Sequence, residues 1–281
     1  EALSCRLTME DLSFLDAMAS TGCVVSLAHK AAMQSSFPLL KKNYKFSKVL
    51  FFGKVMGKVG DYLIAVGIEE SFVSGKKFFF CTDGVTWAQL PAPTDADVAL
   101  AAKLPNGLPF TGDISHEFPT PPEPPPPVAE GEEPPEEVEP PKLPEILRLA
   151  VLVNKLDAEN AIAPAGALCM VGTGAVKENS AYAGLSSAAA GSISSYVFAN
   201  QLKAKDVLQP AMTNSLDFLA PADSVVPKGA LCAHLDESTG VTTIRNLLWP
   251  GFVAFSGPTK KWGYCYFGTG EKNADIAFML P

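Results

Sequence analysis

The sequence predicts an α+β fold, with N-terminal helices, antiparallel β-sheets and a disordered Pro/Glu-rich insertion that interrupts them. Three observations predict this fold. Apolar residues recur at helical spacing near the start of the chain and again over 144–159. Runs rich in β-branched and aromatic residues follow both helical stretches. Between the two halves, residues 119–144 hold half of the 24 prolines, and proline disrupts both helix interiors and strand ladders.

The composition limits the kinds of protein that the chain can be. It has 281 residues, of which 47% are hydrophobic, and this is enough for a sizeable core. The net charge is −8, and residues 117–145 carry all of it, with nine glutamates and one lysine. The rest of the chain has 21 basic and 21 acidic residues, so no excess of basic charge favours nucleic acid as a partner.

Signals for secretion, membranes and disulfides are missing from the sequence. No apolar run approaches the roughly 20 residues of a membrane helix, and no basic-then-apolar signal segment opens the chain. Because the chain starts at Glu1 without Met, we expect further residues before it. The six cysteines form no CxxC pair. We therefore expect a reduced, intracellular protein whose cysteines are small buried hydrophobes and bind no zinc.

Three regions are predicted. Residues 1–116 form a helical pair followed by a β-meander, and residues 145–281 form a helix followed by a β-rich region with aromatic C-terminal strands. Residues 117–144 are a flexible linker, because prolines and mutually repelling glutamates favour an extended, solvated chain.

The N-terminal helices are predicted from a cap and an apolar stripe. Thr8 caps the first helix, with Asp11 three residues later as an approximate capping box. The apolar stripe of this helix comprises Leu12, Leu15 and Met18. A second helix covers 24–34 and is expected to end before Pro38, because the residue before a proline disfavours helical geometry.

Strands follow these helices. Residues 48–70 and 76–90 are β-branched, aromatic and punctuated by glycine, and Asp83-Gly84 is a typical turn signal between two strands. The pattern predicts an antiparallel meander packed on the helices. A short helix is expected at Asp95–Lys103.

The C-terminal region opens with an amphipathic helix over 144–159 and then contains an internal repeat. The helix places its apolar side chains on one face, comprising Ile146, Leu149, Val153 and Leu156. Residues 162–169 (IAPAGALC) and 225–232 (VVPKGALC) each begin with a β-branched residue, and from the third position on they share the pattern Pro-x-Gly-Ala-Leu-Cys. Proline fixes φ and glycine takes a positive φ, so the repeat predicts the same corner twice, with two similar strand starts in one sheet.

The segment GTGEKN, residues 268–273, resembles a phosphate-binding loop only superficially. In a Walker loop the lysine directly follows the last glycine and a helix comes next. Here Thr269 stands in that place, Lys272 comes late, and Glu271 would repel phosphate. We expect a tight loop between strands, with residues 273–281 as the last strand and no nucleotide bound.

Catalytic motifs are missing from the sequence. The three histidines, His29, His116 and His234, are far apart, and no HExxH or GxSxG motif occurs. We therefore expect no enzyme, cofactor or metal site, although a site assembled from distant residues stays open.

Aromatic residues are dense near the end of the chain. Alternation places Trp262, Tyr264 and Tyr266 on one face of a strand. One interpretation is an ordinary sheet core, and the other is a protein interface, since Trp and Tyr dominate binding hot spots. The candidate interface comprises Trp249, Phe252, Trp262, Tyr264, Tyr266, Gly268, Gly270 and Lys272.

These C-terminal residues also carry a family resemblance. The stretch RNLLWPGFVAFSGPTKKWGYCYFGTGEKNADIAFML (245–280) resembles the C-terminal signature of the radial spoke head protein 9 family. Residues 48–68, 153–168 and 215–230 are similar to the same family, and together the matches span most of the chain outside the Pro/Glu-rich segment.

The resemblance implies a place and a role. Radial spokes stand on the outer doublets of cilia and flagella, where their heads face the central pair and relay mechanical signals that regulate dynein. Implied partners are the spokehead-like proteins of types 4 and 6 and the MORN-repeat head proteins, with transient contacts to central-pair projections and two copies in the head. Neither a membrane nor nucleic acid is implied, and the family offers no catalytic residue. A cytoplasmic adaptor recruited through the Pro/Glu-rich segment, or a nucleotide-binding enzyme using 268–272, are the alternatives.

Overall fold

A computed structural model describes residues 12–120, 141–172, 174–203, 216–257 and 260–279, and it confirms the predicted α+β class. The helices are α1 (Phe14–Ala17), α2 (Leu27–Tyr44), α3 (Asp95–Lys103), α4 (Glu145–Asn160), α5 (Ser187–Ala190) and α6 (Ile276–Met279). The strands are β1 (Lys48–Val55), β2 (Tyr62–Ile68), β3 (Lys76–Cys81), β4 (Ala88–Gln89), β5 (Glu117–Pro119), β6 (Lys142–Pro144), β7 (Ile162–Pro164), β8 (Leu168–Met170), β9 (Val176–Glu178), β10 (Tyr196–Leu202), β11 (Leu219–Pro221), β12 (Leu231–Asp236), β13 (Val241–Asn246), β14 (Phe252–Ser256) and β15 (Trp262–Gly268).

One eight-stranded sheet organises the chain. Its order is β12-β13-β14-β15-β1-β2-β3-β4. Strands β1 to β4 form one antiparallel meander and β12 to β15 form another, as the β-rich runs predict. The two meanders join through a parallel pairing of β1 with β15, which the sequence pattern does not reveal. Strands from both sides of the Pro/Glu-rich segment therefore belong to the same sheet.

A glycine makes this junction possible. Gly53 lies opposite Tyr266 in the parallel pair, next to a bulge in β1. The φ angle of Gly53 is 152°, and a Cβ at this position would lie 2.1 Å from the carbonyl oxygen of Tyr266. A side chain at residue 53 would collide with the neighbouring backbone, so the close approach of the two meanders requires glycine here.

Both faces of the main sheet are covered. On one face, the Tyr264 hydroxyl donates to Asp157 of α4 at 3.1 Å. On the other face, the Phe14 ring of α1 stacks on Phe255 with centroids 5.2 Å apart, and α2 packs near β1. A strand covered on both faces has no solvent side, which explains why every residue of β2 is buried.

The repeated corner is confirmed for its glycine and its hydrogen bond but not for its proline, because the Val226–Pro227 peptide bond is cis and the bond before Pro164 is not. Its predicted destination is wrong. Gly166 and Gly229 have φ angles of 80° and 90°, and in each copy the alanine after the glycine donates its amide to the proline carbonyl, at 3.1 and 3.2 Å. The strands that follow enter different sheets. Among the described strands β8 pairs only with β9, whereas β12 forms an edge of the main sheet. Strand β7, which precedes the first corner, lies in a third sheet of order β11-β10-β7.

Three predicted elements differ in the structure. The first helix is shorter than predicted, because Leu12 has a φ of 55° and lies outside it, and α1 covers only Phe14–Ala17. Helix α2 does not end before Pro38 but continues to Tyr44. Its buried face runs past the proline, so packing sustains the helix; this face comprises Met33, Ser36, Phe37 and Leu40. The predicted last strand is instead the short helix α6, begun by an Asn273 side chain that accepts the Asp275 amide.

Some predictions fall outside the described residues. These are the cap at Thr8 and Asp11, the predicted burial of Cys5, residues 121–140 of the predicted disordered insertion, and residues 280–281 of the predicted last strand. The flanks of the insertion are described and are not free coil, because β5 and β6 pair as a two-stranded sheet. Phe118 and Leu143 of these strands form a small apolar cluster with Leu104. Among the residues that the structure describes, no helix is long and apolar enough to cross a membrane.

Candidate functional site: a cleft between two helices and the C-terminal loop

A cleft of about 780 Å³ lies between α3, α4 and the C-terminal loop. Helix α4 lines it with a stripe at i, i+3, i+4 spacing, and α3 does the same from the other side. The α4 stripe comprises Arg148, Val151, Leu152, Lys155 and Ala158, and the α3 stripe comprises Val98, Ala101 and Ala102. Residues 104–108, Trp249 and 270–272 close the remaining sides.

Helix α3 forms at the predicted residues because it is capped locally. The Thr94 hydroxyl accepts the Asp97 amide at 3.3 Å, and the Asp97 carboxylate accepts the Thr94 amide at 2.8 Å. Those hydrogen bonds keep the pKa of Asp97 below its ordinary value. The helix has no buried residue, so this cleft wall is held by its cap and by the packing of Leu100 and Ala101 against the small apolar cluster around Phe118.

Arg148 fixes the floor of the cleft. Its guanidinium lies over the rings of Phe110 and Phe118, 4.2 and 4.7 Å from their centroids, and it donates to the carbonyl oxygens of Leu108 and Pro109. Cation–π contacts and a planar fork of donors are the particular capacity of arginine. The segment 108–110 is therefore held against the start of α4.

A buried carboxylate anchors the next residues of the same segment. Glu145, the first residue of α4, has no exposed surface. It accepts hydrogen bonds from the Thr111 hydroxyl at 2.6 Å, the Gly112 amide at 2.9 Å and the Tyr62 hydroxyl at 2.7 Å. A negative charge at a helix N-terminus is also favoured by the helix dipole. This carboxylate ties α4 to β2 and to the loop after Phe110.

The glycines of GTGEKN serve close packing. Gly270 has a φ of 86°, and a Cβ there would lie 2.6 Å from Leu152 Cδ2 of α4. Its amide donates to the Tyr266 hydroxyl at 2.8 Å. A Cβ at Gly268 would lie 2.5 Å from that same hydroxyl oxygen. The segment follows a strand as predicted, but leads into α6 instead of another strand, and its groups engage the protein itself.

A single carboxylate joins the loop to the other wall of the cleft. Glu159 accepts from the Trp249 indole at 2.8 Å and from the Lys272 ammonium at 2.6 Å. The ammonium groups of Lys272 and Lys155 also lie 5.6 and 5.8 Å from the Trp249 ring centroid. The Trp249 indole thus has two ammonium groups close to its ring at one end of the cleft.

The eight residues of the predicted interface separate into a buried group, one half-buried tryptophan and a cleft-lining group, in which Trp249 is itself only 2% exposed. Phe252, Tyr264 and Tyr266 are buried within the sheet core, and so is Gly268, so for these residues the structure matches the core interpretation. Trp262 is half-buried against Phe72, with ring centroids 6.0 Å apart. The cleft-lining members are Trp249, Gly270 and Lys272, and the role of these residues in an interface stays a prediction.

Sequence reasoning missed the charged pair beneath the cleft. Lys76 of β3 donates to the Asp157 carboxylate at 2.7 Å, and both side chains are about nine-tenths buried. Asp157 also accepts from Tyr264 and from the Asn200 side chain. Helix α4 is thereby tied to three strands. No spacing signal could reveal this pair, because its members come from elements that are distant in the sequence.

The sequence predicts that the remaining titratable side chains hold no metal and that they are largely buried where they are cysteines. Within the described ranges, no group of three His, Cys, Asp or Glu side chains could hold a metal ion. The prediction of buried cysteines is confirmed for Cys23, Cys81 and Cys265, but it is wrong for Cys232, which is exposed, and Cys169 is half-buried.

Comparison with known proteins identifies the family. No family model matches the chain. Curated proteins do: the chain is 38% identical to a zebrafish protein named radial spoke head protein 9 homolog, and 34% identical to the bovine and human proteins of that name. Each alignment covers 95% of this chain and 97% of its relative. The chain therefore belongs to the radial spoke head protein 9 family.

Proposed function

We propose that the chain is a structural subunit of the radial spoke head in the axoneme of cilia and flagella. In this role it is needed for head assembly and for relaying mechanical signals between the central pair and dynein. The observation that carries the proposal is the near full-length similarity to relatives named for the radial spoke head. The proposed activity is mechanical and not enzymatic.

The architecture suits a part that transmits force. Parallel pairing of β1 with β15 joins the two meanders into one sheet, and the Asp157 and Glu145 carboxylates tie α4 to that sheet and to the cleft floor. A unit with few independent parts passes a displacement on instead of absorbing it. The proposed partners are the spokehead-like proteins of types 4 and 6 and the MORN-repeat head proteins, with brief contacts to central-pair projections.

A rescue experiment tests this function. Ciliated cells that lack the chain are complemented with the full-length protein, and spoke heads are imaged by cryo-electron tomography while beat waveform is recorded. We expect heads to be missing or incomplete without the chain and restored with it. Normal heads and normal motility in its absence would overturn the proposal.

The Pro/Glu-rich segment is proposed to tune contacts with the central pair and not to hold the head together. Its charge, −8 over residues 117–145, would shorten contacts with acidic central-pair surfaces or attract basic ones. Replacing the glutamates of 121–140 by glutamine is expected to alter the waveform without loss of heads. Loss of heads would instead show that the segment is architectural, and loss of all partner binding on deletion of 119–144 would favour the adaptor alternative.

A further inference from the structure

We propose that the cleft between α3 and α4 receives an acidic amphipathic helix from another subunit of the spoke head. The proposed helix places an apolar face between the two helices and a carboxylate beside Lys155. This inference rests on the proposed function, since it names the kind of partner surface that the cleft fits.

The shape of the cleft favours a helix as occupant. Both walls present stripes at i, i+3, i+4 spacing, and ridges of this kind accept the ridges of a third helix. Five of the eight side chains along the two stripes are small, with alanine at 101, 102 and 158 and valine at 98 and 151. Small side chains leave room for large apolar ones from a partner. Nine residues of α3 make a wall about 13 Å long, which matches two to three turns of a partner helix.

The apolar surface of the cleft is incompletely covered by the chain. Val98 is 47% exposed although it faces the cleft, and no residue of α3 is buried. On α4, Ala158 is exposed and Val151 is half-buried. An amphipathic occupant would cover these side chains and anchor α3 from its open side.

The charge of the cleft selects an acidic partner. Three of the four charged side chains that line it are cationic, namely Arg148, Lys155 and Lys272, and Glu271 is the fourth. Glu159 neutralises Lys272, and Arg148 donates to backbone carbonyls and is close enough to Glu145 and Glu271 to interact with their charges. Lys155 is exposed and forms no ion pair with a carboxylate among the described residues. A carboxylate from a partner would complete this end of the cleft, next to the Trp249 ring.

Lysine acetylation tests whether the cleft is occupied. The full-length protein, free in solution and within spokes isolated from rescued axonemes, is treated with an acetylating reagent, and the rates at individual lysines are read by mass spectrometry. We expect the rate at Lys155 to fall at least about tenfold in the spoke, as the amine is desolvated and paired. Lys177, exposed on β9 away from the cleft, is the reference. Equal rates at Lys155 in both forms, within spokes that contain the chain, would overturn the inference but leave the proposed function intact.

A carbodiimide, which joins amines to adjacent carboxylates, identifies the occupant. We expect Lys155 to be linked to an Asp or Glu of another polypeptide, in a segment with apolar residues at helical spacing. Linkage to a glutamate of residues 121–140 of the same chain would overturn the proposal in favour of an internal occupant, and so would linkage to a second copy through a non-helical segment.

Matched variants complete the test. Lys155→Glu and Val151→Asp are expected to lower incorporation into spokes at least about tenfold, because each places a charge against the partner helix. Lys177→Glu makes the same charge change outside the cleft and is expected to incorporate normally. Circular dichroism of each purified variant checks that it folds. Normal incorporation of folded Lys155→Glu and Val151→Asp proteins would contradict the inference, whereas failure of the wild-type chain to incorporate would contradict the proposed function.

Discussion

The two faces of helix α4 contrast in how they use their side chains. The inner face is buried against the sheet and comprises Leu149, Val153, Leu156, Asp157 and Asn160. The outer face borders the cleft and comprises Val151, Asn154, Lys155 and Ala158. The inner face holds a buried charge and amide groups that need specific partners, whereas the outer face has small apolar groups and Lys155, which has no carboxylate partner among the described residues. Side chains on the inner face of α4 thus stabilise the fold, whereas those on the outer face are accessible to a partner.

The largest expected effect is at the charged pair of the inner face. Asp157→Ala leaves Lys76 buried without its carboxylate, and we expect a loss of about 3–5 kcal/mol in the free energy of unfolding. Urea unfolding of the purified protein measures it. The double variant Asp157→Leu with Lys76→Met removes both charges and should recover part of the loss, the remainder arising because Tyr264 and Asn200 still lack their carboxylate acceptor. A change below about 1 kcal/mol for Asp157→Ala would remove the contrast between the faces.

A smaller loss is expected at the N-terminus of the same helix. Glu145→Gln keeps the size of the side chain but only one of its two acceptor oxygens, so either the Thr111 hydroxyl or the Tyr62 hydroxyl loses its acceptor. We expect a decrease of about 1–3 kcal/mol in the free energy of unfolding, together with faster amide hydrogen exchange at Thr111 and Gly112. Unchanged exchange there would show that the loop does not depend on this carboxylate.

Alkaline pH should act on the inner face. Burial first, and then the charge of Asp157, raise the pKa of Tyr264 well above its ordinary value, and burial raises the pKa of Tyr266 to about 12. The unfolded chain therefore loses these protons first, so stability is full below about pH 10 and falls as the pH rises above it. Tyr264→Phe should reduce this fall by up to about 1.4 kcal/mol per pH unit. Parallel slopes for the two proteins, in urea titrations at pH 9 to 11, would refute the assignment.

The smallest effect is expected on the outer face. Lys155→Ala should change the free energy of unfolding by less than about 0.5 kcal/mol, because the side chain is exposed and has no carboxylate partner among the described residues. Thermal unfolding compared with the wild-type protein is sufficient. A loss above about 1 kcal/mol would mean that the outer face also contributes to the fold.

The sequence predicts well those elements whose bounds are set by side chains close to them in the chain. Helix α3 has its predicted bounds because Thr94 and Asp97 cap it through their own side chains, and α4 differs from its prediction by one residue at each end. Helix α2 was misjudged because its buried face outweighs the local preference around Pro38. The parallel junction of β1 and β15 was not predicted, because local periodicity does not specify which distant strands become neighbours.

The candidate site was predictable only in part. Trp249, Gly270 and Lys272 stood out through aromatic and glycine content, and they do line the cleft. Val98, Val151 and Lys155 did not, because an apolar residue or a lysine on an open helix face looks the same in sequence as one on any surface helix. Their grouping depends on how α3 and α4 are placed, which is a property of the tertiary structure.

The pairing of Gly53 with Tyr266 also has a consequence for the order of folding. During synthesis the first meander emerges with β1 exposing an unpaired edge, and its neighbour β15 is made only after nearly the whole of the described chain. A contact between such distant positions raises contact order and slows folding. Until β15 arrives, the open edge can pair with strands of other chains. The nascent protein should therefore depend on chaperones during translation more than an isolated four-stranded meander would.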